Sequence, residues 1–286
     1  MEFGGVQHIL HSSALDKFRI WNLADLHLFN AGTAYDRLER DIKEIGDDPY
    51  SFWFGGGDNA EYISPNDPRF DPLTLSNLTL KDLANLGKRQ TEVVRNTLKP
   101  IAHKCLGLLM GNHEWKYYII KEQEYLHGWL CTELETPNLG YCAFADVVFV
   151  KMKMSGGPKL VRNHRKAISS TSARFRFFLH HGAGYAQTEG GKLNKLVQFM
   201  NRFDADVYLC GHVHDQMSKS IVQLTANDLC TDCKDRIRVG VISGSYLRTY
   251  AKGVCGYGER HGYMPTYLGA GSVVIDPQLG TIKAMV

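Results

Sequence analysis

Apolar residues along the chain fall into short runs that alternate with segments of helical spacing, a pattern that predicts an α/β arrangement. Phe18 to Ala24 reads as the first core strand and runs into Asp25-Leu26-His27. Thr33, with Asp36 three residues on, is an N-cap candidate for a helix that places Tyr35, Leu38, Ile42 and Ile45 on one face. Ser51 to Phe54 reads as a strand ending in Gly55-Gly56-Gly57-Asp58, where glycines permit a tight turn beside a carboxylate. A polar, proline-spotted loop from Ile63 to Pro72 follows. Thr79 with Asp82 then opens a predicted helix through Leu80, Leu83, Val94 and Leu98, stopped by Pro100 and interrupted by Gly87.

Cys105 to Met110 has the character of a buried strand and leads to Gly111-Asn112-His113-Glu114. Tyr141 to Met154 reads as a hairpin, Arg174 to Leu179 as a strand meeting His180-His181-Gly182, and Lys192 to Phe203 as a helix. Asp206 to Cys210 is a last strand, ending at Gly211-His212-Val213-His214. Five predicted strand ends therefore deliver Asp, His or Asn side chains. Open sheets hold their ligands at the carboxyl ends of strands, so this recurrence points to one shared site.

Composition changes that picture little. With 286 residues, 44% of them hydrophobic and 22% charged, the chain suits a folded globular protein, and we expect one domain over residues 1–286 with long active-site loops. No run approaches the length of a spanning helix, and the N-terminus lacks the layout of a signal peptide, so a cytoplasmic protein without membrane contact is expected. Seven scattered cysteines suit reduced thiols. Cys230 and Cys233 form a lone CxxC, a weak metal signal without a second pair.

The net charge of +3 is too small to demand a polyanionic partner, yet residues 147–188 contain no acid. Lys151, Lys153, Lys159, Arg162, Arg165, Lys166, Arg174 and Arg176 lie in that stretch, which reads either as a solvated face or as a contact surface for a phosphate-rich substrate.

Taken singly, each strand-end motif has a plain structural reading. Asp25 suits a strand-end cap, Asn112 a turn, and His27 or His113 a satisfied polar group. Their order carries more weight: Asp25-x-His27, Gly57-Asp58-Asn59, Gly111-Asn112-His113-Glu114, His180-His181-Gly182 and Gly211-His212-x-His214. This ordered set resembles the calcineurin-like metallophosphoesterases.

The resemblance implies a four-layer α/β/β/α sandwich, two mixed sheets flanked by helices, and a phosphoesterase with two divalent metal ions. It implies that Asp25, His27 and His214 hold one ion, that Asn112, His212 and one histidine of the 180–181 pair hold the other, and that Asp58 serves both. Relatives with a His-Gly motif point to His181 as the ligand, while those with a double histidine before proline point to His180. His113 matches the family's general acid. Carboxylates, imidazoles and one amide oxygen without thiolates suit manganese first, with iron or zinc as alternatives.

The second block continues Asn59-Ala60-Glu61-Tyr62 and lacks the arginine with which the protein-phosphatase branch grips a monoester. A phosphodiesterase acting on nucleotides or nucleic acid is therefore the first expectation. The alternatives are a phosphomonoesterase and a non-catalytic nucleic-acid-binding protein on the same fold. Asn59 and Arg248 are candidate substrate contacts. Tyr117, Tyr118, Tyr185, Tyr246 and Tyr250 are candidates for base stacking or, equally in keeping with their type, loop anchors. Oligomeric state is not legible in the sequence.

Overall fold

The computed structural model describes residues 1–67, 70, 79, 82, 84–121, 123, 125–162, 172–184, 186 and 188–286. Its strands are β1 (Glu2–His11), β2 (Phe18–Leu23), β3 (Ser51–Gly55), β4 (Cys105–Leu108), β5 (Cys142–Lys151), β6 (Lys159–Arg162), β7 (Ser172–His180), β8 (Val207–Cys210), β9 (Met217–Ala226), β10 (Cys233–Ile242), β11 (Gly271–Asp276) and β12 (Thr281–Met285). The helices are α1 (Tyr35–Asp47), α2 (Leu86–Leu98), α3 (Asn112–Lys121), α4 (Tyr125–Glu133), α5 (Glu189–Arg202) and the single turn α6 (Tyr257–Arg260).

Two mixed sheets stack face to face, a seven-stranded one in the order β6-β1-β5-β7-β8-β10-β9 and a five-stranded one in the order β12-β11-β2-β3-β4. Side-chain alternation assigns the layers. Phe18, Ile20, Phe52 and Phe54 from one sheet meet Phe149, Phe177, Leu209 and Val241 from the other in a core between the sheets. The opposite face of β2 and β3 sends Trp21 and Trp53 against Leu38, Val94, Leu98 and Leu130 of the helices. Beyond the other sheet, Phe178 and Tyr208 pack on Leu196, Phe199 and Met200 of α5. These four layers are the sandwich expected from the sequence.

β2, β3 and β4 run parallel in one sheet, and β7, β8 and β10 run parallel in the other. Their carboxyl ends are tied across the sheets. Asn22 Nδ2 donates to the Cys210 carbonyl at 2.9 Å, and Ser243 Oγ to the Asn22 carbonyl at 2.8 Å.

Several elements differ from their sequence expectation. The first strand is β1, which begins sixteen residues before Phe18 and pairs in parallel with β5. Gly4-Gly5 and a bulge between Phe3 and Val6 obscure its alternation. The expected hairpin over 141–154 is instead the single strand β5, whose partners β1 and β7 are distant in sequence. Thr33 does not cap α1, because its hydroxyl donates to the His27 carbonyl at 2.5 Å and Ala34 holds the cap position. The start expected for α2 at Leu80 and Leu83 lies outside the described residues. Gly87 sits within α2, where its N–H donates to the Tyr117 hydroxyl at 3.0 Å and a larger residue would meet the Tyr117 ring.

The segment after His214 supplies β9 to β12, which extend both sheets. Cys230 lies in the exposed turn between β9 and β10, Cys233 opens β10, and all seven cysteines are free. Among the described residues no helix is long and apolar enough to cross a membrane.

Candidate metal centre

The loops after β2, β3 and β8 carry candidate ligands. Asp25, His27, Asp58, His212 and His214 all have φ between 45° and 74°, a left-handed region that non-glycine residues seldom adopt. Such conformations persist where surrounding contacts over-determine them. Here the first two loops continue the β2–β3 ladder, with Asp25 N–H donating to the Gly57 carbonyl at 2.9 Å and His27 N–H to the Asp58 carbonyl at 3.0 Å.

Glu114, at the head of α3, ties Gly111 to the second loop. Its carboxylate accepts from Gly111 N at 2.9 Å, Asp58 N at 3.0 Å, Asn59 N at 2.7 Å and Asn59 Nδ2 at 2.9 Å. Burial, with the charge of Asp58 acting in the same direction, raises Glu114 to about 7. The loops approach so closely that a Cβ on Gly111 would overlap the Asp58 carboxylate.

The expected donors form two adjoining groups, and a third group, His27, Glu61 and His113, shares His27 with the first. Ligand atoms of Asp25, His27 and His214 lie within 4.8 Å of one another, as do those of Asp58, His181 and His212. Asp58 stands between them, its Oδ2 4.0 Å from His27 Nε2 and 3.4 Å from His181 Nε2. Asn112 Oδ1 joins the second group 3.0 Å from His181 Nε2. His212 N–H donates to Asp25 Oδ2 at 2.8 Å, which couples the groups through the backbone.

The hydrogen bonds around this cluster turn ring nitrogens inward. His181 Nδ1 lies 2.8 Å from the Gly56 carbonyl, which can only accept, so the proton sits on Nδ1 and Nε2 faces the Asn112 and Asp58 oxygens. His27 Nδ1 lies 3.2 Å from Glu61 Oε2, leaving its Nε2 3.1 Å from Nε2 of His214. His214 Nε2 is in turn 3.3 Å from Asp25 Oδ1, a fully buried atom. Imidazole nitrogens, carboxylate oxygens and one amide oxygen converging in a buried space form a ligand set that divalent cations satisfy, so the residues present fit the metals implied by the motifs.

Burial opposes charge on Asp58, but His181 and His113 outweigh it and hold the carboxyl well below its usual range. Glu61 behaves likewise. Burial acts against its ionised form, yet the hydrogen bond from His27 and the charge of His113 bring it down to about 2.

His113 sits at the edge of the cluster. Its N–H donates to Asp58 Oδ1 at 2.9 Å, and its ring crosses that of His27 at 4.8 Å between centroids. Nδ1 lies 2.6 Å from the Glu61 carbonyl and so carries a proton.

Three sequence-derived candidates take other places. His180, one residue before His181 on β7, points to the opposite face of the sheet. Its Nδ1 accepts from Gly182 N at 2.9 Å and its ring stacks on Phe199 at 4.7 Å, so it does not join the cluster. Asn59 is buried and held by Glu114, which makes it a brace for the Asp58 loop rather than a substrate contact. Arg248 reaches Asp36 on α1 at 2.9 Å and forms an ion pair with it.

Tyr117, Tyr118 and Tyr246 are core residues, the last donating its hydroxyl to Asp41 at 2.7 Å, while Tyr250 is exposed and Tyr185 lies outside the described residues. In the basic segment, Arg174 and Arg176 pair with Asp146, so part of its charge is neutralised within the fold. Arg165 and Lys166 lie outside the described residues.

Sequence reasoning missed Glu61 and the bracing role of Glu114. The available signal was an acid three positions after Asp58 and another two after Asn112, each close to a residue already marked as a donor.

A family model for calcineurin-like phosphoesterase matches residues 18–216, most of the chain. The protein belongs to that family of metal-dependent phosphoester hydrolases. No curated protein matches it. Among solved structures, a metallophosphoesterase from Sphaerobacter thermophilus is similar at 12% identity and a TM-score of 0.37, covering 95% of this chain and 89% of that one. A conserved uncharacterized protein, predicted phosphoesterase, from Streptococcus pneumoniae TIGR4 has 12% identity and a TM-score of 0.34, covering 95% and 98% of the two chains. A Vps29 single mutant from Entamoeba histolytica has 12% identity and a TM-score of 0.33, covering 94% and 97%.

Proposed function

We propose that the protein is a dinuclear metal-dependent phosphodiesterase acting on nucleotides or nucleic acid. In this reading Asp25, His27 and His214 hold one divalent ion, Asn112, His181 and His212 hold a second, and Asp58 contributes to both. Manganese is the favoured metal on the oxygen-and-imidazole donor set, with iron or zinc as alternatives. Bound metals supply a hydroxide at neutral pH and offset phosphoryl charge.

The chain's own residues do the rest. Glu61 orients His27 through Nδ1, and the Glu61 carbonyl fixes the His113 ring through its Nδ1. His113 Nε2, when protonated, gives a proton to the leaving oxygen. Glu114 and Gly111 keep the Asp58 loop against α3.

The observation that carries the reading is the position of Asp58 Oδ2 between two convergent donor groups. The diester preference is supported by the second loop, where Asn59, Ala60, Glu61 and Tyr62 are buried and offer no guanidinium to a monoester dianion. Seven free cysteines support a reducing, cytoplasmic setting. The contribution of β9 to β12 to both sheets supports residues 1–286 as one domain.

The deciding experiment is turnover of bis-p-nitrophenyl phosphate with manganese, alongside a metal count. Activity is expected to vanish in Asp58→Ala and to fall roughly 10²- to 10⁴-fold in His113→Ala. Hydrolysis of monoesters alone would overturn the diester assignment. Less than one bound metal per chain would overturn the centre itself.

A further inference from the structure

The connection from β10 to β11 leaves and re-enters the fold beside the metal cluster. Tyr246 N–H and Ser245 Oγ both bond the Asp25 carbonyl, at 2.9 and 3.0 Å, and Ser245 N–H accepts its place by donating to the Tyr267 carbonyl at 2.9 Å. The outgoing foot of the excursion is thus fastened to the backbone of a cluster residue, and the returning foot is fastened to the outgoing one. Between them the chain rises as an arm that is internally braced. Thr249 Oγ1 donates to the Met264 carbonyl at 3.1 Å, Tyr250 Oη to the Tyr263 carbonyl at 2.9 Å, and Thr266 Oγ1 to the Leu247 carbonyl at 2.6 Å.

The arm displays rings. Tyr250, Tyr257, Tyr263 and Tyr267 are 49%, 45%, 39% and 55% exposed, a concentration that a folded chain does not need for its own core. Tyr257 stacks on His261 at 3.9 Å between centroids and 27° between planes, and Tyr263 completes the group 6.0 Å from Tyr257. Lys252 and Arg260 lie on the same arm against a single acid, Glu259. Braced aromatic faces with surplus positive charge, continuous with a phosphoester site, match the chemistry of unpaired bases strung on a phosphate backbone.

We propose that this arm is a base-stacking platform for single-stranded nucleic acid, leading the strand towards the metal cluster. The proposal rests on the phosphodiesterase reading of the cluster and names the substrate class for it. Bases stack on the Tyr257–His261–Tyr263 group, while Lys252 and Arg260 meet the backbone phosphates.

The test is fluorescence anisotropy of a labelled thymidine oligonucleotide, its uridine counterpart and an abasic strand of equal length, with the intact protein in chelator so that no strand is cut. Wild-type protein is expected to bind a base-bearing strand more tightly than the abasic one, with affinity falling as salt rises. A thymidine preference assigns DNA, and a uridine preference RNA. Tyr257→Ala is expected to weaken binding roughly 5- to 150-fold, the value of one lost base stack, and Tyr257→Trp to restore it. Circular dichroism and thermal melting check that both variants fold.

Equal binding of the abasic strand, or unchanged binding by a folded Tyr257→Ala, would overturn the platform. Turnover of bis-p-nitrophenyl phosphate by wild-type protein, measured in parallel with manganese, separates the two readings. Turnover without oligonucleotide binding removes the platform alone, whereas binding without turnover removes the hydrolase reading and keeps the platform.

Discussion

His181 and His127 are both buried, yet their surroundings drive them in opposite directions. Burial penalises charge on His181, but Asp58 lies 3.4 Å away and raises the imidazole to about 10. His127 on α4 has Cys131 as its near neighbour at 3.7 Å, and burial lowers it to about 4. The same contrast extends outward. Asp58 and Glu61 stay ionised inside the protein, while burial pushes the thiols of Cys105 and Cys131 up to about 11 and about 12. Burial by itself neutralises a group, and only burial among opposite charges produces a site able to hold cations.

Removing one charge at constant shape is the strongest way to break this contrast. Asp58→Asn keeps the side-chain volume but withdraws the carboxylate shared by both donor groups. The expected loss is several kcal/mol of transition-state stabilisation, on the order of 10³-fold in kcat/KM. A variant retaining most of its activity and its metal would mean that the carboxylate is dispensable.

The neutral side of the contrast predicts an acid sensitivity. His127 has a folded-state value below its ordinary 6.5, so its contribution is present above that pH and is lost as pH falls towards about 4. The full effect is about 3 kcal/mol. Denaturant titrations at neutral pH and near pH 4.5 should show a larger drop for wild-type protein than for His127→Gln, and parallel curves would refute the assignment.

A finer probe is Glu61→Gln, which leaves every proposed ligand in place. Its carboxylate contacts His27 Nδ1, so its loss is expected to weaken manganese affinity or activity by roughly 10- to 100-fold. Calorimetric titration with manganese distinguishes this from a purely structural defect, because Glu61→Asp should recover part of the affinity only if the carboxylate positions His27.

Much of the centre was legible because its donors occupy strand ends, where short motifs and glycines survive as local signals. Ligand atoms of Asp25, His27 and His214, and of Asp58, His181 and His212, come together where the marked strands end. The histidine pair was not separable by motif, since the distinction depends on which face of β7 each residue takes. Strand alternation settles the geometry once Phe177 and Phe178 are known to face different layers.

The braces were hidden for another reason. Glu61 and Glu114 work through contacts made by folding, and nothing in an isolated acidic residue announces that it will accept four N–H groups. β1 was missed because a bulge and two glycines break its period, and its partner β5 lies more than a hundred residues away.

The seam between the sheets gives the centre a mechanical character. Three loops of the five-stranded sheet and two of the seven-stranded sheet contribute donors, and His212 N–H already bridges to Asp25 at 2.8 Å. A cation seated there acts as a rivet through both layers. Separation of the layers and release of the ion then become one event, so the loaded protein should open as a unit, and tightness of metal retention becomes a gauge of how firmly the two halves are clamped.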